Sequence, residues 1–86
     1  MDEYSIVFAR SAREELMALP PKLAQRVLRS IEGLQRDPHP QGCRKHEGSV
    51  NLWRIRIGHY RVLYAIDEDH RIVDVIAVRH RRDAYR

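Results

Sequence analysis

The chain has 86 residues, 43% of them hydrophobic, with 16 Lys+Arg against 12 Asp+Glu and a formal net charge of +4. That is enough for one small domain with a single core, and it leaves no room for a second. A lone cysteine, Cys43, excludes an internal disulfide, the acidic start Asp2-Glu3 is unlike a secretory leader, and no apolar run nears the ~20 residues of a membrane span. The expectation is therefore a soluble, cytoplasmic protein.

In chain order, Tyr4–Ala9 is a short apolar run that reads as a strand. Ser11 stands three residues before Glu14, the spacing of a capping box, so a first helix is expected from there through Leu19. Pro20-Pro21 stops it, and Pro21 suits the first position of a second helix, where its missing N–H costs nothing. Leu23, Val27, Ile31 and Leu34 recur at helical spacing, with Lys22, Gln25, Arg26, Arg29 and Glu32 on the other side. This amphipathic helix should end near Asp37-Pro38. Residues 38–51 show no periodicity and read as a loop. Three strands follow, Leu52–Ile57, Tyr60–Ile66 and Ile72–Arg79, with the polar turn Asp67-Glu68-Asp69-His70 between the last two. Connections this short allow only an antiparallel meander. The expected fold is α+β, in the order β-α-α-β-β-β, with a helical hairpin covering one face of a small, largely antiparallel sheet. It is one domain over residues 1–86.

The first meander hairpin is the most informative segment. Trp53, Ile55 and Ile57 point one way along the strand, and Leu52, Arg54 and Arg56 the other. Gly58-His59 forms a two-residue turn, with glycine supplying the positive φ of type II′. This register pairs Ile57 with Tyr60 and Arg56 with Arg61. Like charges directly opposite on a sheet are destabilising, so the pairing points to an anion as the missing partner. The helices should cover Trp53, Ile55, Ile57, Val62, Tyr64, Ile72 and Ile76, leaving Arg54, Arg56 and Arg61 on the open face. In even register Val73, Val75, Ala77, Arg79 and Arg81 join that face; a slip of one residue sends Arg81 to the other side. Tyr85 follows closely enough to fold over the rim. An arginine-lined surface with an aromatic at its edge suits a phosphate backbone with one stacked base.

Composition agrees with this. All the basic residues but Lys22 and Lys45 are arginine, whose planar fork of donors fits phosphate and carboxylate. The plainer readings are a basic surface kept soluble by its charge, a solvated tail at Arg79–Arg82, an edge pair at Tyr60 and Arg61, and Trp53 and Tyr64 as core. His39, His46, His59 and His70 lack mutual metal-ligand spacing, so no metal site is expected. Cys43 has no CxxC partner, and neither Ser11 nor Ser49 stands in a nucleophile setting. Histidine is the side chain that ordinarily titrates near neutral pH, and only His80 falls inside the arginine cluster.

The element order, the run Leu52-Trp53-Arg54-Ile55-Arg56 followed by Gly58-His59-Tyr60-Arg61-Val62-Leu63-Tyr64, and the close His80-Arg81-Arg82-Asp83-Ala84-Tyr85 resemble the RelE/ParE superfamily of bacterial and archaeal toxins. The similarity spans essentially the whole chain. It implies a toxin encoded beside a cognate antitoxin that wraps and neutralises it. The RelE branch cuts mRNA in the ribosomal A site, whereas the ParE branch poisons DNA gyrase. RelE-type chains use basic residues on the first meander strand, an arginine after the Gly-x-Tyr turn, a basic residue after the last strand and a tyrosine near the C-terminus. Arg54 and Arg56, Arg61, Arg81 and Tyr85 stand at the matching places. Two departures are that arginine replaces the lysine of the best-known pattern, and that Arg86 comes with no C-terminal helix before it.

The resemblance implies a metal- and cofactor-independent endoribonuclease acting on the ribosome and its mRNA. In it the RNA's own 2′-hydroxyl attacks the adjacent phosphate. Arg61 and Arg81 would neutralise that phosphate, Tyr85 would stack on or orient the base or help with a proton, and Arg54 and Arg56 would hold the backbone. Arginine stays protonated at any working pH and is a poor base, which leaves His80 as a second-rank acid–base candidate. The alternatives are a ParE-like gyrase poison and a catalytically silent, antitoxin-binding member.

Overall fold

A computed structural model describes residues 3–46, 48, 51–80 and 82. Two helices lie on one face of a five-stranded sheet in the order β1-β5-β4-β3-β2. The elements are β1 (Ser5–Phe8), α1 (Arg10–Met17), α2 (Pro21–Gly33), β2 (Arg44–Lys45), β3 (Leu52–Ile57), β4 (Tyr60–Asp67) and β5 (Ile72–His80). Only β1 runs parallel to its neighbour, β5; the other pairings are antiparallel. No helix among the described residues is long and apolar enough to cross a membrane.

The helical hairpin begins earlier than the capping-box spacing suggests. Ala9 N–H donates to Val75 O (2.8 Å), which holds Ala9 extended at the end of β1, and Arg13 N–H already donates to Ala9 O (3.0 Å). The helix therefore starts at Arg10, with no side-chain cap, and Ser11 lies inside its first turn. Pro21 opens α2 as expected, its preceding residue Pro20 extended at ψ 145°. After Gly33 the backbone continues in tight turns, with Leu34 N–H donating to Ile31 O and Gln35 N–H to Glu32 O.

The β3–β4 hairpin has the register read from its turn: Ile57 faces Tyr60, and Arg56 faces Arg61. Gly58 supplies the positive φ (59°). A Cβ at that position would also meet the Arg26 guanidinium from α2, at 3.6 Å.

The last strand departs from even register. Leu63 pairs with Ala77 but Tyr64 with Val75, so Ile76 is an extra, bulged residue. The bulge reverses the faces on either side of it. Val73, Val75 and Val78 lie on the helix-covered side, in the core with Ile55, Ile57, Val62, Tyr64, Ile66, Val27, Ile31 and Leu34. Val73 and Val75 thus leave the open face expected of them. Ile76 is 37% exposed, and Ile72 sits opposite Asp67 on the open side. Ala77 and Arg79 are on the open face as read.

Tyr64, fully buried, donates its hydroxyl to Pro38 O (2.7 Å). Burial, reinforced by the Cys43 thiol, pushes that hydroxyl well above the ordinary tyrosine range. The bond ties the start of the 38–51 connection to the middle of the sheet.

Candidate anion-binding face

The open face carries two levels of arginine. Nearest the hairpin tip, Arg56, Arg61 and Arg79 form a row across β3, β4 and β5, because Arg61 pairs with Arg56 on one side and Arg79 on the other. Two residues back along β3, Arg54 faces Arg44 of β2. The connection read as irregular thus contributes a strand and a fifth arginine. It does so through a turn: Cys43 N–H donates to Pro40 O (3.0 Å), and Gly42 has φ 91°. Glycine with positive φ at the third position is the type II signature.

These side chains enclose a pocket of about 80 Å³, lined among the described residues by Gly42, Arg44, Arg54, Ile55, Arg56 and Arg61. No carboxylate appears in that lining. Arg54 and Arg61 are half-buried, while Arg44 and Arg56 are exposed. Facing residues on neighbouring strands stand about 4.5–5.5 Å apart at the backbone, a spacing within which two arginine side chains can reach one anion.

Arg79 is directed elsewhere. Its Nε donates to Glu15 Oε2 (3.2 Å), and Glu15 Oε1 accepts the Val78 N–H (2.9 Å). Beyond Phe8 no strand among the described residues lies beside the outer edge of β5, and this α1 carboxylate takes over one edge amide and neutralises the neighbouring guanidinium.

His80 is next to Arg79 in sequence but faces the other way. It pairs with Tyr60, and the two rings meet edge to face at 5.2 Å, with the His59 ring 6.2 Å from His80. Tyr60 shares the side of Val62 and Tyr64, so the His80 ring lies on the face opposite Arg61 and Arg56. Arg81 and Tyr85 lie outside the described residues. Of the residues singled out from sequence, the structure brings together Arg54, Arg56 and Arg61 and sets His80 apart. Sequence reasoning does not single out Arg44 or Glu15. The Pro40-Gln41-Gly42 turn signal ahead of Arg44 was the available clue for the first; nothing local marks Glu15, whose partners are distant in sequence. Among the described residues no group of three His, Cys, Asp or Glu side chains is placed to hold a metal ion.

A second surface is apolar. Ile6, Val7 and Phe8 of β1, Arg13, Leu16 and Met17 of α1 and Leu28 of α2 line an open groove of about 530 Å³. Met17 is 74% and Val7 44% exposed.

The family model for the ParE toxin of the type II toxin-antitoxin system, parDE, matches residues 6–85. Toxin RelG of Mycobacterium tuberculosis is 36% identical over 84 residues, covering 96% of this chain and 97% of that protein. Among solved structures, the toxin-antitoxin complex RelBE2 of Mycobacterium tuberculosis superposes with a TM-score of 0.81 at 30% identity, over 91% of this chain and 98% of that one. The archaeal RelE-RelB complex of Pyrococcus horikoshii matches with a TM-score of 0.81 at 26% identity, over 94% and 97%.

Proposed function

The chain belongs to the RelE/ParE family of type II toxin–antitoxin toxins, and from that premise we propose that it is a ribosome-dependent mRNA endonuclease. The observation that carries this reading is the Arg56–Arg61 pair facing one another on an open sheet face, with Arg54 beside them. Two guanidiniums held opposite each other, each a planar fork of donors, suit a group whose negative charge grows during reaction.

In the proposed reaction the RNA 2′-oxygen attacks the adjacent phosphorus. The 2′-oxygen–phosphorus bond forms and the phosphorus–5′-oxygen bond breaks, leaving a 2′,3′-cyclic phosphate and a free 5′-hydroxyl. One proton leaves the 2′-hydroxyl and one reaches the departing 5′-oxygen. Arg61 stabilises the charge on the phosphoryl oxygens, with Arg81 as its partner in that role; Arg54 and Arg56 hold the backbone in line. Tyr85 orients the base or helps with a proton. His80 is a second-rank candidate for proton transfer, since its ring sits with Tyr60 on the other face. A site made mostly of guanidinium neutralises phosphate well and moves protons poorly. Orientation of the RNA must then supply much of the rate, which is the part we assign to the ribosome, in the cytoplasm.

The partner we propose is a cognate antitoxin with an acidic, amphipathic segment seated in the β1–α1–α2 groove. β1 is an edge strand: Ser5 and Ala9 direct their N–H groups to β5, so those of Ile6 and Phe8 between them point outward, ready to pair. Apolar side chains line the groove beside that edge and Arg13 supplies a cation, a match for a chain of mixed apolar and acidic character.

One observation favours a second reading. The family model that matches is the ParE one, and a gyrase poison would use the arginine face on a protein–DNA complex. Brief induction in cells separates the two: cuts within the codons of translated mRNAs support the endonuclease, and gyrase trapped on cleaved DNA supports the poison.

A further inference from the structure

We propose that Arg44 and Arg54, beside the Gly42 turn, form a second phosphate subsite, which holds the RNA phosphate next to the one cut at Arg61. The proposal rests on the endonuclease reading for its substrate and adds a binding residue that reading does not contain.

β2 has little reason to form on packing grounds. It is two residues long, both exposed, and it places Arg44 directly against Arg54, an arrangement that costs stability on its own. Charged residues do protect sheet edges from unwanted pairing. Lys45, which pairs with Trp53 and so lies on the other face, serves that purpose as well as any. Protection does not require Arg44 to point into a pocket already lined by three arginines. Anion binding does.

The dimensions agree. A cavity of about 10–15 Å³ already holds a water, so about 80 Å³ leaves ample room for phosphate oxygens. Arg54 and Arg56 are two residues apart on one face of β3, and their partners flank β3 on opposite sides, so the two pairs are offset by about 8 Å, a distance that long arginine side chains can close toward neighbouring phosphates of one strand. Across the sheet, Arg44 partners Arg54 as Arg61 partners Arg56. Each of two neighbouring phosphates then receives two guanidiniums. Gly42 fixes the approach: with φ 91° it sets the turn that delivers Arg44, and no atom lies within 4 Å of where its Cβ would be, so the requirement there is conformational.

Phosphate contacts of this kind position a strand without reading its sequence. The subsite should strengthen binding of all RNAs alike and set the register of the cut.

The test measures binding of 2′-deoxy-substituted, uncleavable RNA di- and trinucleotides, which carry one and two internal phosphates, to the full chain and its Arg44→Ala, Arg44→Lys and Arg61→Ala variants across a salt series. For the unaltered protein the trinucleotide should bind more tightly, with a steeper salt dependence. Arg44→Ala should abolish the gain from the second phosphate and reduce the slope of log K against log salt by about 0.7, one single-strand phosphate contact. Arg44→Lys should keep the slope. Thermal melting in inorganic phosphate gives an independent readout: phosphate should raise the melting temperature less in Arg44→Ala than in the unaltered chain. If Arg44→Ala binds both oligonucleotides like the unaltered protein while Arg61→Ala does not, the second subsite is overturned and the endonuclease site stands. If neither variant alters binding, the whole face is misread as an RNA site.

Discussion

Arg56 and Arg61 face each other across the β3–β4 ladder, so two cations stand directly opposite one another on the open face. The pairing follows from a two-residue turn at Gly58-His59 and cannot be relieved without shifting the hairpin register, which would turn Ile55 and Ile57 out of the core.

Replacing Arg61 should therefore separate activity from stability. Arg61→Ala is expected to lower the cleavage rate on the order of 10²-fold, by analogy with loss of one oxyanion-stabilising donor. Its unfolding free energy should change by no more than about 1 kcal/mol, well short of unfolding the domain. Arg81→Ala should behave similarly. Single-turnover cleavage paired with urea denaturation checks both; variants that are folded and fully active contradict the assignment.

Glu15 is expected to matter for stability. Its carboxylate accepts from the amide of Val78, which is only 3% exposed, and from Arg79. Glu15→Ala strands that amide and should cost about 1–3 kcal/mol, the penalty for a buried unsatisfied group. Glu15→Gln, which keeps an acceptor, should cost less. Equal stability of all three chains in urea would remove Glu15 from the account of how β5 is finished.

The buried Tyr64 predicts an alkaline limit. Its hydroxyl is held above its unfolded value near 10, so the folded state keeps its proton longer than the unfolded one. The stabilisation is complete below about pH 10 and falls as pH rises from there toward the folded value. Tyr64→Phe removes this dependence and the bond to Pro38 O, at a cost of about 1 kcal/mol near neutral pH. Denaturation at neutral pH and above pH 10 should show the Phe variant weaker in the first and losing less between the two.

The apolar groove should be read by the antitoxin. Met17→Lys places a charge at a position 74% exposed, so the fold should be undisturbed while association weakens by tenfold or more. Calorimetry with the protein encoded by the neighbouring reading frame measures this. Unchanged affinity would move the antitoxin off this groove.

Where the sequence could be read, the decisive cues were local. Alternation in residues 52–57 and the glycine at position 58 determine the hairpin register, and with it the juxtaposition of Arg54, Arg56 and Arg61. Pro21 marks the start of α2 because its missing N–H falls where no helical bond is made. What could not be read depends on distant partners. Ala9 becomes the N-cap of α1, and Arg10 its first residue, because Val75 O holds Ala9 extended. The bulge at Ile76 lets Val73, Val75 and Val78 all reach the core, a choice between two registers that an apolar run of Ile72, Val73, Val75, Ile76 and Val78 does not reveal. β2 has no apolar pattern at all, and forms because the turn at Gly42 carries Arg44 to the edge of β3.

The most direct measurement compares cleavage of one transcript by the purified protein, free in solution and in a stalled ribosome complex, at matched enzyme concentration and salt. Under the proposed reading the arginine site neutralises a phosphate and relies on an ordered codon for geometry, so cutting should be rapid within the A-site codon and barely detectable on the naked transcript. Equal rates on both substrates would make the protein a free ribonuclease, and no cutting on either, with gyrase trapped on DNA, would show that the arginine face serves a different target.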